Sequence, residues 1–308
     1  MTSGNHEPNL LIVGSVAFDS IETPSGSVER ALGGSAVFAS IAASYFTRAR
    51  GVAVVGEDFG GEQFAVLDGR GVDASGIRVV PGGRTFHWRG RYHDNMQDRD
   101  TLATELNVFE GFDPVLPDAF GRSTDVFLGN IDPKLQAKVL DQVTGPRFVG
   151  MDTMNLWITE TPADLREVLA RVDLLFINDE ESRQLTGERQ VANAASAIIA
   201  MGPRYVVIKR GEYGAILFSG DFCLFVPAMP LRRVVDPTGA GDSFAGGFMG
   251  FVSGAAQIDR ATLARALRAG AAMASFAVER FSVGGLEGLG RSDIDRRVAE
   301  LDSMCAAR

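Results

Sequence analysis

Val234-Val235-Asp236-Pro237-Thr238-Gly239-Ala240-Gly241-Asp242-Ser243-Phe244-Ala245-Gly246-Gly247-Phe248 decides how the chain reads. Asp236 precedes a proline, which holds it extended. Thr238 to Gly241 then turns, and a helix of small residues begins near Ala240. The first N–H groups of a helix have no internal partner, and with the helix dipole they attract an anion. Glycine lets a phosphate approach the backbone without a Cβ in the way. Asp242 falls in that first turn, where it would repel a resting phosphate. It makes sense as a base. It would take the proton of a hydroxyl attacking a phosphorus held by the N–H groups of Gly239, Ala240 and Gly241. No GxxxxGK[ST] occurs, which excludes a P-loop. GAGDSF is GxGxxF and lies late in the chain, so it is a poor dinucleotide fingerprint.

Upstream, apolar runs at Leu10–Val16, Val52–Val55, Val126–Leu128, Phe148–Met151, Leu174–Ile177 and Tyr205–Lys209 read as buried strands. Helical stretches separate them at Ser35–Ser44, Gly61–Arg70, Lys134–Gln142, Ala163–Ala170, Glu180–Leu185 and Val191–Met201. This alternation predicts an α/β fold with a mostly parallel sheet covered on both faces. Ala215–Phe218 and Phe222–Val226 flank Ser219-Gly220-Asp221, a hairpin near the sheet edge. From Gly239 on the chain is mainly helical. Arg84–Asn107 breaks the alternation: Thr85–Tyr92 reads as a strand with aromatics, and the rest is polar. A small excursion such as a lid explains it. No linker or repeat divides the chain.

The balance of 30 basic against 39 acidic residues, net −9, argues against a nucleic-acid partner. Two cysteines exclude a disulfide framework, and His6, His87 and His93 are too few and too scattered for a zinc site. MTSGNHEPNL lacks a basic segment followed by an apolar one, and no apolar run reaches the roughly 18 residues of a membrane span. A cytoplasmic protein without a membrane partner is expected. Glycine is in excess: 36 residues, where average usage of about 7% gives roughly 22.

DPTGAGDSFAGGF resembles the C-terminal signature of the ribokinase-like (PfkB) carbohydrate kinases. Leu11-Ile12-Val13-Gly14 leading to Asp19, the pair Gly33-Gly34, and Val55-Gly56-Glu57-Asp58-Phe59-Gly60 followed by Leu67 and Gly71-Val72-Asp73 are similar to further motifs of that family. The resemblance implies one kinase domain over residues 1–308, a three-layer α/β/α fold with a small β lid. The lid would be built from segments near 18–32 and 84–108. It also implies ATP and Mg2+, a monovalent cation such as K+ near Asp236 and Ser282–Gly285, and a homodimer formed through the lid.

Asp19 has a direct physical use, since a carboxylate accepts hydrogen bonds from vicinal hydroxyls. Gly33 and Gly34 would let substrate lie against backbone. Asn178 and Glu181, at i and i+3, resemble the family's NxxE pair, which implies a role in placing Mg2+. Lys209, Arg210 and Gly211 match a strand end that meets nucleotide, and Thr238 belongs to the same binding turn. Ala271, Ala272 and Ser275 are the implied adenine wall. Asn130, Asp152 and Asn155 follow strand ends, the edge where ligands bind in open α/β sheets. Arg89 and Arg91 are further substrate candidates in the lid segment. Phe38 stands where family members often carry an asparagine in GGxxxN. That departure argues against a ribokinase-type sugar, and its ring could instead pack on a base. The expected activity is ATP-dependent phosphorylation of a primary hydroxyl of a sugar or sugar-like small molecule, with a nucleoside acceptor as the alternative. A non-catalytic ligand-binding protein and a nicotinamide oxidoreductase are the readings from other classes.

Overall fold

A computed structural model describes residues 9–305. His6 and the first eight residues of the MTSGNHEPNL start lie outside the described residues. The strands are β1 (Asn9–Val13), β2 (Ala17–Thr23), β3 (Gly26–Gly33), β4 (Arg48–Gly56), β5 (Asp73–Val80), β6 (Phe86–Tyr92), β7 (Arg99–Glu105), β8 (Asp125–Leu128), β9 (Phe148–Asp152), β10 (Leu174–Asn178), β11 (Tyr205–Lys209), β12 (Ala215–Phe218) and β13 (Cys223–Val226). The helices are α1 (Ser35–Ala43), α2 (Gly61–Gly69), α3 (Pro133–Leu140), α4 (Asn155–Glu160), α5 (Pro162–Leu169), α6 (Asp179–Thr186), α7 (Val191–Ile199), α8 (Ala240–Gly254), α9 (Arg260–Ala277) and α10 (Arg291–Cys305).

The two-residue period of a strand sets the layering. In β1, Leu10 and Ile12 enter one core while Leu11 and Val13 enter the other. Leu174 and Phe176 of β10 separate in the same way from Leu175 and Ile177. A sheet buried on both faces needs apolar residues at every position, hence the continuous apolar runs. Helices α1, α2, α8, α9 and α10 close the first core, and α3, α4, α5 and α7 the second. The main sheet runs β13-β12-β11-β10-β9-β8-β1-β4-β5, parallel except for the antiparallel β12 and β13 at one edge. This is the three-layer α/β/α arrangement that the alternation predicts.

Three differences from the sequence reading share a cause. β1 stops at Val13, and residues 14–16 lead directly into β2. β5 and β7, unmarked in the sequence, are edge strands of mixed or exposed character and so lack an apolar run. α4 is a short, largely exposed helix with only Ile158 buried. The polar segments near 18–32 and 84–108 meet in a second sheet of order β3-β2-β6-β7, with β2 and β6 parallel. Among the described residues no helix is long and apolar enough to cross a membrane.

Helices α1 and α8 pack backbone to backbone. A Cβ at Gly246 would overlap Ala39, and one at Gly250 would overlap Ala43. Gly250→Leu is therefore expected to lower the thermal midpoint by several degrees, from an overpacking cost of about 1–3 kcal/mol. Circular dichroism melting checks it. An unchanged midpoint would show that the two helices yield.

Candidate active site

The turn before α8 is built on Gly239, whose φ of 75° and ψ of 1° lie in the left-handed region. A side chain there would also collide with the Phe38 ring, which lies against the glycine. Phe38 is only 1% exposed. Its ring supports the turn from beneath and offers no open face to a substrate, which corrects its assignment to substrate binding. Of the three expected N–H donors, Ala240 reaches back to the Pro237 carbonyl at 3.3 Å, and Gly239 accepts from the Ser243 N–H at 2.8 Å.

Asp242 stands in the first turn of α8. Burial, and then the Asp152 carboxylate, push it up to about 7, with Lys209 opposing. The ammonium of Lys209, at the end of β11, donates to Asp152 Oδ2 at 2.7 Å and lies beside Gly241. Burial would pull this ammonium down, but Asp152, then Glu181 and Asp242, outweigh it and hold it above its ordinary value. Lys209 thus stays charged beside the turn. Asp152 is 3% exposed and ends β9.

On the other side lies Asp19, 6% exposed, with its carboxylate against Gly33, where a Cβ would strike it. Burial, then Asp236 and Asp242, push Asp19 up to about 7. Asp236 braces the loop: Oδ1 accepts the Thr238 N–H at 2.9 Å and Oδ2 the Ser282 N–H at 3.2 Å. It thereby ties the segment expected near a monovalent cation to the turn before α8.

The ladder register of the small sheet sorts its side chains. Asp19 pairs with Trp88, and alternation brings Tyr92 to the same face. The Tyr92 hydroxyl and the Thr238 hydroxyl are 3.1 Å apart. Arg89 and Arg91 occupy the opposite face, bonded to Glu29 at 3.3 Å and Glu22 at 2.6 Å. They point away from Asp19, which corrects Arg91, and with it Arg89, as substrate residues. The arginine that does reach the site is Arg99, unmarked in the sequence. It pairs with Tyr92 in register, lies 5.8 Å from the Trp88 ring and lowers Asp242 and Glu181 by its charge. Only the alternation of β7 could have pointed to it, and an exposed edge strand gives little such signal.

Asn178 and Glu181 form a reciprocal cap at the start of α6. Asn178 Oδ1 accepts the Glu181 N–H at 2.7 Å, and Glu181 Oε2 accepts the Asn178 N–H at 3.0 Å. Burial raises Glu181, against the Asn178 N–H and Lys209. Asn130 Oδ1 accepts the indole N–H of Trp157 at 2.8 Å, and Asn155 accepts the N–H of Leu156, so both serve local structure. A cavity of about 540 Å3 continues from Lys209 and Gly241 past Gly211 to Ala271, Ala274 and Ser275. Ala272 is fully buried behind that wall, so it packs the core and does not meet a ligand. The Ser275 hydroxyl is held between the Ala272 carbonyl and Arg297, each at 2.7 Å.

Comparison with known proteins identifies the family. The model of the pfkB family carbohydrate kinases matches residues 136–287. The chain is 32% identical over 248 residues to a cytidine kinase of Thermococcus kodakarensis, covering 78% of this chain and 87% of the relative. It is 27% identical to a nucleoside kinase of Methanothermobacter thermautotrophicus, covering 89% and 91%. The structure of Arabidopsis thaliana ribokinase complexed with ribose and ATP shares its fold, with a TM-score of 0.76 at 21% identity over 95% of this chain and 99% of the other. The protein is a kinase. It belongs to the pfkB carbohydrate kinase family, whose members use ATP and act on small sugar or nucleoside acceptors.

Burial and neighbouring carboxylates raise both Asp19 and Asp242 to about 7, so each loses its charge as the pH falls through that value. A protonated Asp242 can no longer take up a proton, and a protonated Asp19 binds hydroxyl donors less strongly. The value of kcat/KM is therefore expected to fall below about pH 7 with a limb steeper than one proton, the apparent values belonging to the pair. In Asp19→Asn the remaining limb should follow a single proton. A one-proton limb in the unaltered enzyme would show that one carboxylate does not titrate in this range.

Proposed function

We propose that the chain is an ATP-dependent nucleoside kinase that phosphorylates the primary hydroxyl of a pyrimidine nucleoside such as cytidine. The observation that carries the acceptor class is the pairing of Asp19 with Trp88. A carboxylate for sugar hydroxyls and an aromatic ring for a base stand side by side on one face. The likeness to a cytidine kinase over most of both chains supports the same class.

Asp242 takes the proton of the acceptor hydroxyl as that oxygen bonds to the γ-phosphorus. The bond from γ-phosphorus to the bridging oxygen breaks, and its electron pair leaves with ADP. The N–H groups of Gly239 and Gly241 and the Lys209 ammonium hold the charge on the transferring group, the Ala240 N–H being bonded to the Pro237 carbonyl. Arg99 adds a second cation from the small sheet, and Tyr92 bonded to Thr238 holds that sheet over the turn. Asp19, with Gly33 and Gly34, orients the acceptor hydroxyls.

Carboxylates of Asp152, Glu181 and Asp242 act on one another across this site. Among the described residues no group of three or more His, Cys, Asp or Glu is arranged to hold a metal by itself. The donor set therefore fits Mg2+ that travels with the triphosphate and keeps most of its waters, with Glu181 and Asn178 at its outer side. When bound, Mg2+ would neutralise charge between the donor phosphates.

In Asp242→Asn, kcat should fall by about 10²–10⁴-fold while ATP still binds, measured by product formation and by titration with a non-hydrolysable analogue. Undiminished turnover removes Asp242 as base. In an ATP-consumption panel of nucleosides, pentoses, hexoses and sugar acids, cytidine is expected to lead and free ribose to be a poor acceptor. A sugar turned over in preference to every nucleoside would overturn the acceptor class.

A further inference from the structure

We propose that Ser20, backed by His87, is a positioning residue for the acceptor: it clasps a β-bulge that sets the Asp19 carboxylate against Gly33. This rests on the reading above in which Asp19 holds the acceptor hydroxyls.

The pairing of β2 with β3 contains the bulge. Asp19 stands opposite Ala31 and Ile21 opposite Val28, so two residues of β3, Glu29 and Arg30, face the single residue Ser20. A bulge bends its strand and re-aims side chains beside it. Here it also sets the register beyond it, where Gly33 stands opposite Ala17. Were the extra residue taken up into the ladder, Leu32 would move into that place. A Cβ at Gly33 strikes the Asp19 carboxylate, so a side chain there would displace it. A one-residue slip in β3 therefore moves Asp19 without any change at Asp19.

Arg30 holds the strained conformation of the bulge. Its φ of 49° lies in the left-handed region, which costs a side-chain-bearing residue free energy. Three contacts keep it there. The Arg30 N–H donates to Ser20 Oγ at 3.1 Å. Its guanidinium lies 4.4 Å from the Phe18 ring centroid and pairs with Asp58 at 2.8 Å. The other bulge residue, Glu29, is held below its ordinary value chiefly by the Ser20 hydroxyl.

Ser20 is buried on the face of the small sheet opposite Asp19. Its Oγ shares a hydrogen bond of 2.9 Å with Nε2 of His87, which is also buried. One hydroxyl thus meets both bulge residues and a histidine of the neighbouring strand. Because Ser20 faces away from the acceptor, it acts on the acceptor only through Asp19.

The test is steady-state kinetics with the acceptor that the substrate panel returns. The pH is set above the titration of Asp19 and Asp242, where His87, pushed down by burial, is neutral. Ser20→Ala should raise the acceptor KM at least about fivefold while the KM for ATP stays as in the parent. In an Asp19→Asn background the same substitution should change the acceptor KM by less than about twofold, since a residue that acts through Asp19 then has nothing left to place. His87→Leu should resemble Ser20→Ala, and His87→Gln, whose amide reaches the place of Nε2, should restore most of the parent's KM. Thermal melting identifies the folded variants, and the two His87 variants carry the test if Ser20→Ala does not fold. A rise in acceptor KM that disappears in the Asp19→Asn background supports the proposal. A parent-like KM in the folded Ser20→Ala or His87→Leu enzyme, or a rise that persists without the Asp19 carboxylate, overturns it. An Asp19→Asn enzyme with the parent's acceptor KM would remove the reading of Asp19 itself, and the proposal with it.

Discussion

The contact between Gly239 and the Phe38 ring is the constraint on which the site depends. It admits no side chain, and it fixes the height at which α8 begins. Phe38 is carried by α1, which meets α8 through Ala39 and Ala43 against Gly246 and Gly250. The position of the anion turn is thus set from below, by helix packing, and from the side, by Asp236 bridging Thr238 and Ser282. Catalytic geometry here is a by-product of core geometry.

The site concentrates like charge. Asp152, Glu181 and Asp242 gather around Lys209, while Asp19 and Asp236 act on each other and on Asp242 from the side of the small sheet. Crowding and loss of water raise the carboxylates that must act as acceptors. In the proposed reading an acidic protein can bind a triphosphate without a basic surface, because Lys209 lies beside the turn before α8 and Arg99 acts on the same carboxylates. The net charge of −9 argues against a polyanion partner and is compatible with a nucleotide.

Much of this was legible where the chemistry is local. The DPTGAGDSF string holds the proposed base, the proposed anion turn and the helix start within a few residues, and Lys209 and Asp152 fall at the ends of apolar strands that announce themselves. The small sheet was not legible in the same way. Alternation in Thr85–Tyr92 separates Trp88 and Tyr92 from Arg89 and Arg91, but sequence alone does not say which face meets Asp19. The parallel pairing of β2 with β6 decides it. Arg99 sits in a strand that is mostly polar and exposed along its length, so neither periodicity nor burial marked it. Phe38 looked like a ligand residue because its place was judged by position along the motif, whereas the turn of α1 directs its ring beneath Gly239.

The ion pair of Lys209 with Asp152 has a consequence for selectivity among anions. The ammonium is largely withdrawn from water and already has a counter-ion. A lone inorganic phosphate would have to compete with that carboxylate for one cation, a poor exchange. A nucleoside triphosphate is anchored by its base and several phosphates at once, and can absorb the loss. On the proposed reading the pair therefore disfavours small anions at this turn relative to a nucleoside triphosphate.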